Sequence, residues 1–247
     1  MIITVTSWRG VGTTTTALML AAALAVTDET WLVEADPAGG VLSGRLHVAA
    51  HELGALERLS FPSGSTVPSA DEIAHHRGSL HVLTAPIDPF RASACHAPRM
   101  PWTSSLRELG RDVVLDIGRM RQGTPAWSLL SLADAVVAVL SPEVGAAVAS
   151  AEWLRAAGRV SSSDPGLEVD DVRMVAVASP GGVAFDRVAL AEEFGERWGG
   201  WLPWEPAVVD LVERGAGLDD RRLRRSALVA ACTELAETVA RRAEVTA

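Results

Sequence analysis

Short apolar runs alternate along the chain with longer stretches in which apolar residues recur at the spacing of a helix. The runs, most of them rich in β-branched residues, predict strands over Met1–Thr6, Trp31–Ala35, Ser79–Ala85, Asp112–Ile117, Ala133–Leu140 and Val172–Ala178, with a last strand ending at Trp201–Pro203. Helical spacing predicts helices over Thr14–Val26, Val144–Gly158, Pro206–Gly215 and Leu218–Val245. This alternation favours an α/β fold, with a doubly wound, mostly parallel sheet and helices on both faces.

Length and composition fit a single globular domain over residues 1–247. The apolar fraction of 48% and the charged fraction of 21% exclude a disordered chain. The longest uninterrupted apolar run, Ala17–Val26, has ten residues, and a membrane-spanning helix needs roughly 20. Because the first residues form a strand pattern rather than a basic leader, we expect a cytoplasmic protein without a transmembrane helix.

The charge pattern narrows the choice of partners. The chain has 22 basic and 31 acidic residues, and every basic residue is Arg. A net charge of −9 disfavours binding to nucleic acid or to an anionic membrane. Cys95 and Cys232 lie too far apart in sequence for a metal or redox motif, and we interpret His75 and His76 as solvated loop residues without a carboxylate spaced for a metal site.

The loop after the first strand carries the most informative motif. In doubly wound sheets, ligands bind at the carboxyl ends of the strands. Residues 7–15 read SWRGVGTTT, and a phosphate-binding P-loop reads GxxxxGK followed by Ser or Thr. Its glycines let backbone N–H groups surround phosphates at a helix N-terminus, and its hydroxyl binds Mg²⁺. Gly10, Gly12 and Thr14 satisfy this pattern, whereas Thr13 stands at the lysine position and Ser7 at the first glycine.

Further segments in the same order extend the match over nearly the whole chain. They read EADPAGG, DVVLDIG, ADAVVAVLSPE and WLPWEPAVVDLVERGAGL. Together with the GVG loop they resemble the MinD/ParA family of deviant P-loop ATPases, whose pattern is KGGVGKTT, a DxDPxGN switch and a strand ending in the Walker B aspartate. Within that family, SLHVLTAPIDP and DVVLDIGR look most like the CpaE/TadZ branch.

The resemblance implies a site for ATP or ADP with Mg²⁺. The nucleotide-binding residues would be Arg9, Gly10, Val11, Gly12, Thr13, Thr14 and Thr15, with Pro203 and Glu205 against the base. Thr14 and Asp116 resemble the Mg²⁺ residues of the family, and Glu34, which replaces the first switch aspartate, is expected in the same metal sphere. Asp36 resembles the catalytic switch residue that orients the attacking water.

Both lysines of the family's P-loop are missing from this sequence. The signature lysine, which reaches the partner subunit's phosphates, aligns with Trp8, and the Walker lysine aligns with Thr13. Since the chain contains no lysine, Arg9 is the nearby cation left to replace one. Loss of a charge that stabilises the transferred phosphate typically costs about 10²- to 10³-fold in rate, so we expect weak or absent hydrolysis.

Three functional hypotheses remain open. The first is a nucleotide-dependent localisation or partitioning protein that forms a homodimer and recruits a partner protein of a localisation or secretion system. The second is a pseudo-ATPase scaffold that dimerises without nucleotide, with a pocket that is empty or closed by Trp8 and Arg9. The third is a metabolic P-loop ligase, which would normally need the missing lysine.

Overall fold

A computed structural model describes residues 1–49, 54–62, 68–96, 101–120, 124–160, 172–178, 184–217 and 219–246. Eight strands form one sheet, in the order β3-β4-β2-β5-β1-β6-β7-β8. In chain order they are β1 Ile2–Ser7, β2 Thr30–Glu34, β3 His75–Arg77, β4 Leu80–Leu83, β5 Asp112–Arg119, β6 Ala135–Leu140, β7 Val172–Val177 and β8 Trp198–Leu202. All neighbouring strands pair in parallel except β3, which is antiparallel to β4 at the edge.

Helices cover both faces of the sheet. They are α1 Thr13–Leu24, α2 Leu42–Arg45, α3 Ala55–Ser60, α4 Ala70–Ile73, α5 Pro89–Ala94, α6 Pro101–Glu108, α7 Val144–Val160, α8 Arg187–Phe194, α9 Pro206–Glu213 and α10 Ala227–Thr246. Among the described residues, 3₁₀ segments span Pro125–Leu132 and Gly195–Arg197. Within the described part of the chain, no helix combines the length and the apolar character needed to cross a membrane.

Side-chain alternation along the strands builds two separate apolar clusters. In β1, for example, Ile2 belongs to one cluster while Ile3 and Val5 belong to the other. The first cluster lies under α3, α6 and α7, and the second lies under α1 and α10. Burial on both sides explains why the central strands are almost continuously apolar in sequence.

The predicted doubly wound α/β fold is confirmed, and each predicted strand is present within a few residues of its expected limits. The last predicted helix is shorter than expected, because residues 219–225 form turns and α10 begins at Ala227. Short helices between the strands, α2 to α6 and α8, were not predicted, because they span only four to eight residues and give little periodic signal.

The interpretation of His75 and His76 as loop residues is wrong. They lie in β3, which pairs with β4 through His76 opposite His81. A three-residue strand of polar residues has no alternating apolar pattern, so the pairing could not be anticipated from periodicity. The hairpin also brings the carboxylate of Asp71 close to His76 and His81, a proximity that the sequence spacing did not indicate.

Candidate nucleotide-binding site

The loop between β1 and α1 has the backbone of a phosphate cradle. Gly10 and Gly12 both have φ of +73°, a conformation that residues with a Cβ rarely adopt. Gly12 directly precedes α1 and accepts the hydrogen bond of Thr16 N–H at 2.8 Å. The first N–H groups of α1 therefore point toward the loop, at the positive end of the helix dipole.

The two departures from the P-loop pattern contact each other. The hydroxyl of Thr13, at the lysine position, donates to the hydroxyl of Ser7, at the first glycine position, over 2.7 Å. The same Ser7 oxygen accepts from Gly10 N–H at 2.7 Å. Thr13 is therefore turned inward and buried, and it holds the loop closed on itself rather than reaching outward as a lysine would.

Thr14 and Asp116 provide the best-fitting residues for Mg²⁺. Asp116 is completely buried near the end of β5, where its Oδ1 accepts from Gly118 N–H at 3.1 Å and the nearby Thr14 hydroxyl lowers the pKa of its carboxylate. Its Oδ2 has no hydrogen-bond partner among the described residues. A buried carboxylate oxygen without a hydrogen-bond partner destabilises the fold unless a cation or a proton binds to it. Mg²⁺ bound there would neutralise phosphate charge.

Burial decides the protonation of this carboxylate in the absence of a cation. Desolvation raises the pKa of Asp116 to about 7, helped by the charges of Glu34 and Asp36 and opposed by the hydrogen bond from Thr14. Near neutral pH the group is therefore partly protonated. Binding of a divalent cation would displace that proton, as expected of a metal-ligating carboxylate.

Glu34 lies beside Asp116 in the register of β2 and β5, but its oxygens are occupied. Its Oε1 accepts from Val41 N–H at 2.6 Å and Leu42 N–H at 2.8 Å, and its Oε2 accepts from Ala85 N–H at 3.0 Å. These bonds tie the loop before α2 to the end of β4. These bonds give Glu34 a structural role, and the metal role expected for it stays a prediction.

Asp36 lies between the switch loop and the end of β5. Its Oδ1 accepts from Ala38 N–H at 2.8 Å, and a Cβ added at Gly118 would overlap its carboxylate. Burial raises the pKa of Asp36, while the positive charge of Arg119 opposes the rise. The Asp36 carboxylate therefore lies against Gly118, two residues after Asp116, and its catalytic role stays a prediction.

Arg119 is a candidate site residue that was not predicted from the sequence. It pairs with Ser7 in the register of β5 and β1, and a Cβ added at Gly10 would overlap its Nε. Its guanidinium therefore packs on the glycine of the phosphate loop and faces Asp36. Arg9, the cation proposed from sequence, and Arg119 are both exposed to solvent. Arg119 could have been found from its sequence position, because it lies two residues after Ile117, at the end of the Walker B-like strand. The carboxyl ends of β5 and β1 lie at the same edge of the sheet.

An apolar cavity of about 250 Å³ adjoins the loop on the α1 face of the sheet. Its walls include Gly12, Thr15, Met19, Val177, Leu202, Pro203, Trp204, Glu205, Val209 and Leu228. Pro203 and Glu205 line this cavity, and their predicted contact with the base stays a prediction. Trp8 instead packs against the apolar cluster on the other face, so it does not close this cavity.

Glu205 and Arg45 shape the rim of the cavity. The Glu205 carboxylate accepts from the Ser226 hydroxyl and from Leu228 N–H at the start of α10, and these bonds lower its pKa. Arg45, which was not predicted, donates to Thr15 Oγ1 at 3.0 Å and pairs with Glu213. Thr15 is therefore anchored at the cavity wall, and its predicted phosphate contact stays a prediction.

Comparison with solved structures identifies the fold. The septum site-determining protein MinD of Pyrococcus horikoshii, solved with Mg-ADP, superposes with a TM-score of 0.73, 18% identity and coverage of 100% of this chain and 98% of that chain. A putative plasmid partition protein of Borrelia burgdorferi bound to AMPPNP gives 0.70 at 16% identity, covering 98% of each chain. The chain has the MinD/ParA fold. No protein-family model matches the sequence, and no curated protein is significantly similar to it.

The MinD/ParA fold explains the arrangement of the site. MinD in the MinC:MinD cell division complex of Aquifex aeolicus superposes with a TM-score of 0.66 at 20% identity, covering 97% of this chain and 95% of that one. The two structures solved with Mg-ADP and with AMPPNP hold nucleotide on this fold. At such low identity the likeness establishes the architecture, so the activity of this chain is argued from its own residues.

Proposed function

We propose that this chain binds ATP or ADP with Mg²⁺ and that the bound state controls its contacts with other proteins. The observation that carries the proposal is the carboxylate of Asp116, which is fully buried, lies near the Thr14 hydroxyl and has an Oδ2 without a hydrogen-bond partner among the described residues. A hydroxyl at the start of a P-loop helix beside a buried strand-end carboxylate is the arrangement that holds Mg²⁺ in P-loop proteins.

The nucleotide would lie along the start of α1. In this proposal, the backbone N–H groups from Gly10 to Thr15 surround the phosphates, and the base enters the apolar cavity beside Pro203 and Glu205. Arg119 supplies the positive charge that the missing lysines would otherwise provide, because its guanidinium packs on the loop itself. A planar guanidinium can bind phosphate oxygens in a bidentate manner.

Hydrolysis would be slow in this arrangement. The position of the Walker lysine is held by Thr13, whose hydroxyl is committed to Ser7. Asp36, the residue proposed to orient the attacking water, is near enough to Arg119 for the two charges to interact. A cation shared between a carboxylate and the phosphates would stabilise the transferred phosphate less than a dedicated one.

The proposed output is recruitment of a partner by a homodimer. The net charge of −9 leads us to propose a protein partner of a localisation or secretion system rather than nucleic acid or an anionic membrane. The solved relatives support this class of role, since their descriptions include cell division and plasmid partition proteins and a MinC:MinD complex. Placement in the CpaE/TadZ branch is part of the same proposal.

Calorimetric titration of the full chain with Mg-ATP and Mg-ADP tests the proposal. We expect saturable binding in the micromolar range. Thr14→Ala should weaken it by about 10-fold or more, since a lost buried hydrogen bond costs about 1–2 kcal/mol, whereas Thr27→Ala, near the other end of α1, should leave it unchanged. Absence of heat and of a thermal shift at millimolar nucleotide would overturn the proposal.

A pseudo-ATPase scaffold is the second candidate, and one observation favours it. The Ser7 oxygen accepts from both Thr13 and Gly10 N–H, so one backbone donor of the loop is already used within the protein. A scaffold would dimerise equally with and without nucleotide. Light scattering over a concentration series distinguishes the two, because a nucleotide-controlled protein changes its dimer dissociation constant when Mg-ATP is added.

A further inference from the structure

Two histidines and an aspartate converge at the edge of the sheet, far from the nucleotide site. His76 in β3 pairs directly opposite His81 in β4, so both side chains lie on one face of the hairpin. Asp71 reaches them from α4, which directly precedes β3. Its Oδ1 lies 3.8 Å from His76 Nε2 and 3.5 Å from His81 Nδ1, and the three ligand atoms all lie within 4.8 Å of one another.

His81 is the fixed member of this cluster. Its Nδ1 is buried and has no hydrogen-bond partner among the described residues. Its ring packs on Trp31 with a centroid distance of 4.9 Å and meets the ring of His76 at 4.6 Å. Contacts on both sides limit rotation of the imidazole, so the unpartnered nitrogen stays directed toward Asp71. A buried nitrogen without a partner lacks the compensation that polar groups normally find in a fold.

We propose that Asp71, His76 and His81 bind a divalent transition-metal cation such as Zn²⁺. Imidazole nitrogen and carboxylate oxygen are common Zn²⁺ ligands, with bonds of about 2.0–2.2 Å, and three protein ligands with one water make a complete tetrahedral shell. Such bonds place neighbouring ligand atoms roughly 3.3 Å apart. The separations from Asp71 are 3.5 and 3.8 Å, and the two histidine nitrogens lie within 4.8 Å of each other, so side-chain movements of up to about 1.5 Å would reach this geometry.

A hydrogen bond within the cluster limits its affinity for the cation. His76 Nε2 is 2.9 Å from the backbone oxygen of Asp71, and this hydrogen bond must be given up when the nitrogen binds a cation. Asp71 and His76 are largely exposed, with side-chain exposures of 69% and 45%, so an ion can enter from solvent. We therefore expect micromolar binding that fastens α4 to the edge hairpin and protects the edge strand from unwanted pairing.

Titration of the chelator-treated full chain with ZnCl₂ tests the site. We expect one equivalent to bind and the melting temperature to rise. His76→Ala and Asp71→Asn should each weaken the cluster's binding by at least 10-fold, and both residues are exposed enough for the variants to fold. His81→Ala should abolish binding, with circular dichroism checking that loss of the Trp31 contact leaves the fold intact.

Two controls separate this site from others. His75 lies next to His76 but its Nε2 accepts from Arg77 Nε at 3.2 Å, so His75→Ala should bind Zn²⁺ as the wild type does. Asp116→Asn should also retain binding, which distinguishes the edge cluster from the proposed Mg²⁺ site and makes the test independent of nucleotide binding. Unchanged affinity in both His76→Ala and Asp71→Asn, or no saturable binding by wild type, would overturn the proposal.

Discussion

The hydroxyl of Thr13 donates to the hydroxyl of Ser7 over 2.7 Å, which joins the two positions at which the phosphate loop departs from the P-loop pattern. A glycine at position 7 would remove the acceptor, and a lysine at position 13 would carry its ammonium out of the small buried space that Thr13 fills. The two departures therefore fit each other, and they are expected to change together rather than singly.

Restoring both residues should restore catalysis. In Ser7→Gly/Thr13→Lys, the lysine can extend toward the phosphates because the Ser7 hydroxyl no longer occupies the loop. Since a single charge-stabilising donor is worth about 10²- to 10³-fold in rate, we expect ATP turnover to rise by at least 10-fold, measured by phosphate release.

A single substitution at position 13 serves as the control for this prediction. Thr13→Val removes the hydroxyl without adding charge, and it should lower the free energy of unfolding by about 1 kcal/mol without changing turnover. Equal turnover in the double variant and the wild type would show that the lysine position is not what limits hydrolysis.

Arg119, rather than Arg9, should carry the electrostatic part of nucleotide binding. Both arginines are exposed to solvent, but the guanidinium of Arg119 packs on Gly10 and its charge acts on Asp36, so we assign the electrostatic role to Arg119. Charge-assisted hydrogen bonds contribute about 1.5–3 kcal/mol, so Arg119→Ala should weaken Mg-ATP binding by about 10-fold or more. Arg9→Ala removes the same charge from the same loop region and should change the dissociation constant less than 3-fold.

Calorimetric titration of these two variants with Mg-ATP shows which of the two arginines contributes to nucleotide binding. Arg119→Lys should recover part of the lost affinity, because the positive charge is kept while the bidentate geometry is lost. A large loss in Arg9→Ala with normal binding in Arg119→Ala would reassign the role to Arg9, as the sequence alone had suggested.

The fold could be predicted from the sequence because it depends on local patterns. Buried parallel strands such as Asp112–Arg119 are continuous apolar runs, and the Gly10 and Gly12 spacing marks a turn into a helix whatever the rest of the chain does. The positions of Thr14 and Asp116 followed from the same reasoning, since the loop and the strand end meet at one edge of a parallel sheet.

The remaining features depend on contacts between distant segments. Arg119 reaches Gly10 only because β5 pairs with β1, and the three acceptor bonds of Glu34 come from two separate loops. The edge cluster needs a hairpin that places His76 opposite His81. Such pairings leave no periodic signal within one segment, so sequence reasoning assigned Glu34 by analogy and treated the histidines as isolated.

Asp116 should make stability fall as the pH rises. Burial raises its pKa to about 7 in the folded chain, compared with about 3.9 in an unfolded chain. Between these values the folded state holds a proton that the unfolded state has released, so the free energy of unfolding decreases with pH and levels off above about pH 7. Urea unfolding from pH 5 to pH 8 measures this slope, in which each pKa unit corresponds to about 1.4 kcal/mol.

Comparison with Asp116→Asn isolates this residue from other titrating groups. The asparagine cannot ionise, so the variant should lose part of the slope and be the more stable protein at pH 8. The raised pKa values of Glu34 and Asp36 act in the same direction and leave a residual slope. Asp28→Asn, an exposed substitution, should follow the wild type, and parallel profiles for wild type and Asp116→Asn would contradict the assignment.

Glu34→Gln should destabilise the protein even without nucleotide. The carboxylate accepts from Val41, Leu42 and Ala85 N–H groups, and a glutamine would turn its own N–H₂ group toward at least one of these donors. A buried donor left without a partner costs about 1–3 kcal/mol, so the urea midpoint of the nucleotide-free variant should fall. Glu29→Gln, an exposed change of the same chemistry, is the matched control. If Glu34 were instead a metal ligand alone, the nucleotide-free midpoint would not fall, and only Mg²⁺-dependent nucleotide binding would weaken.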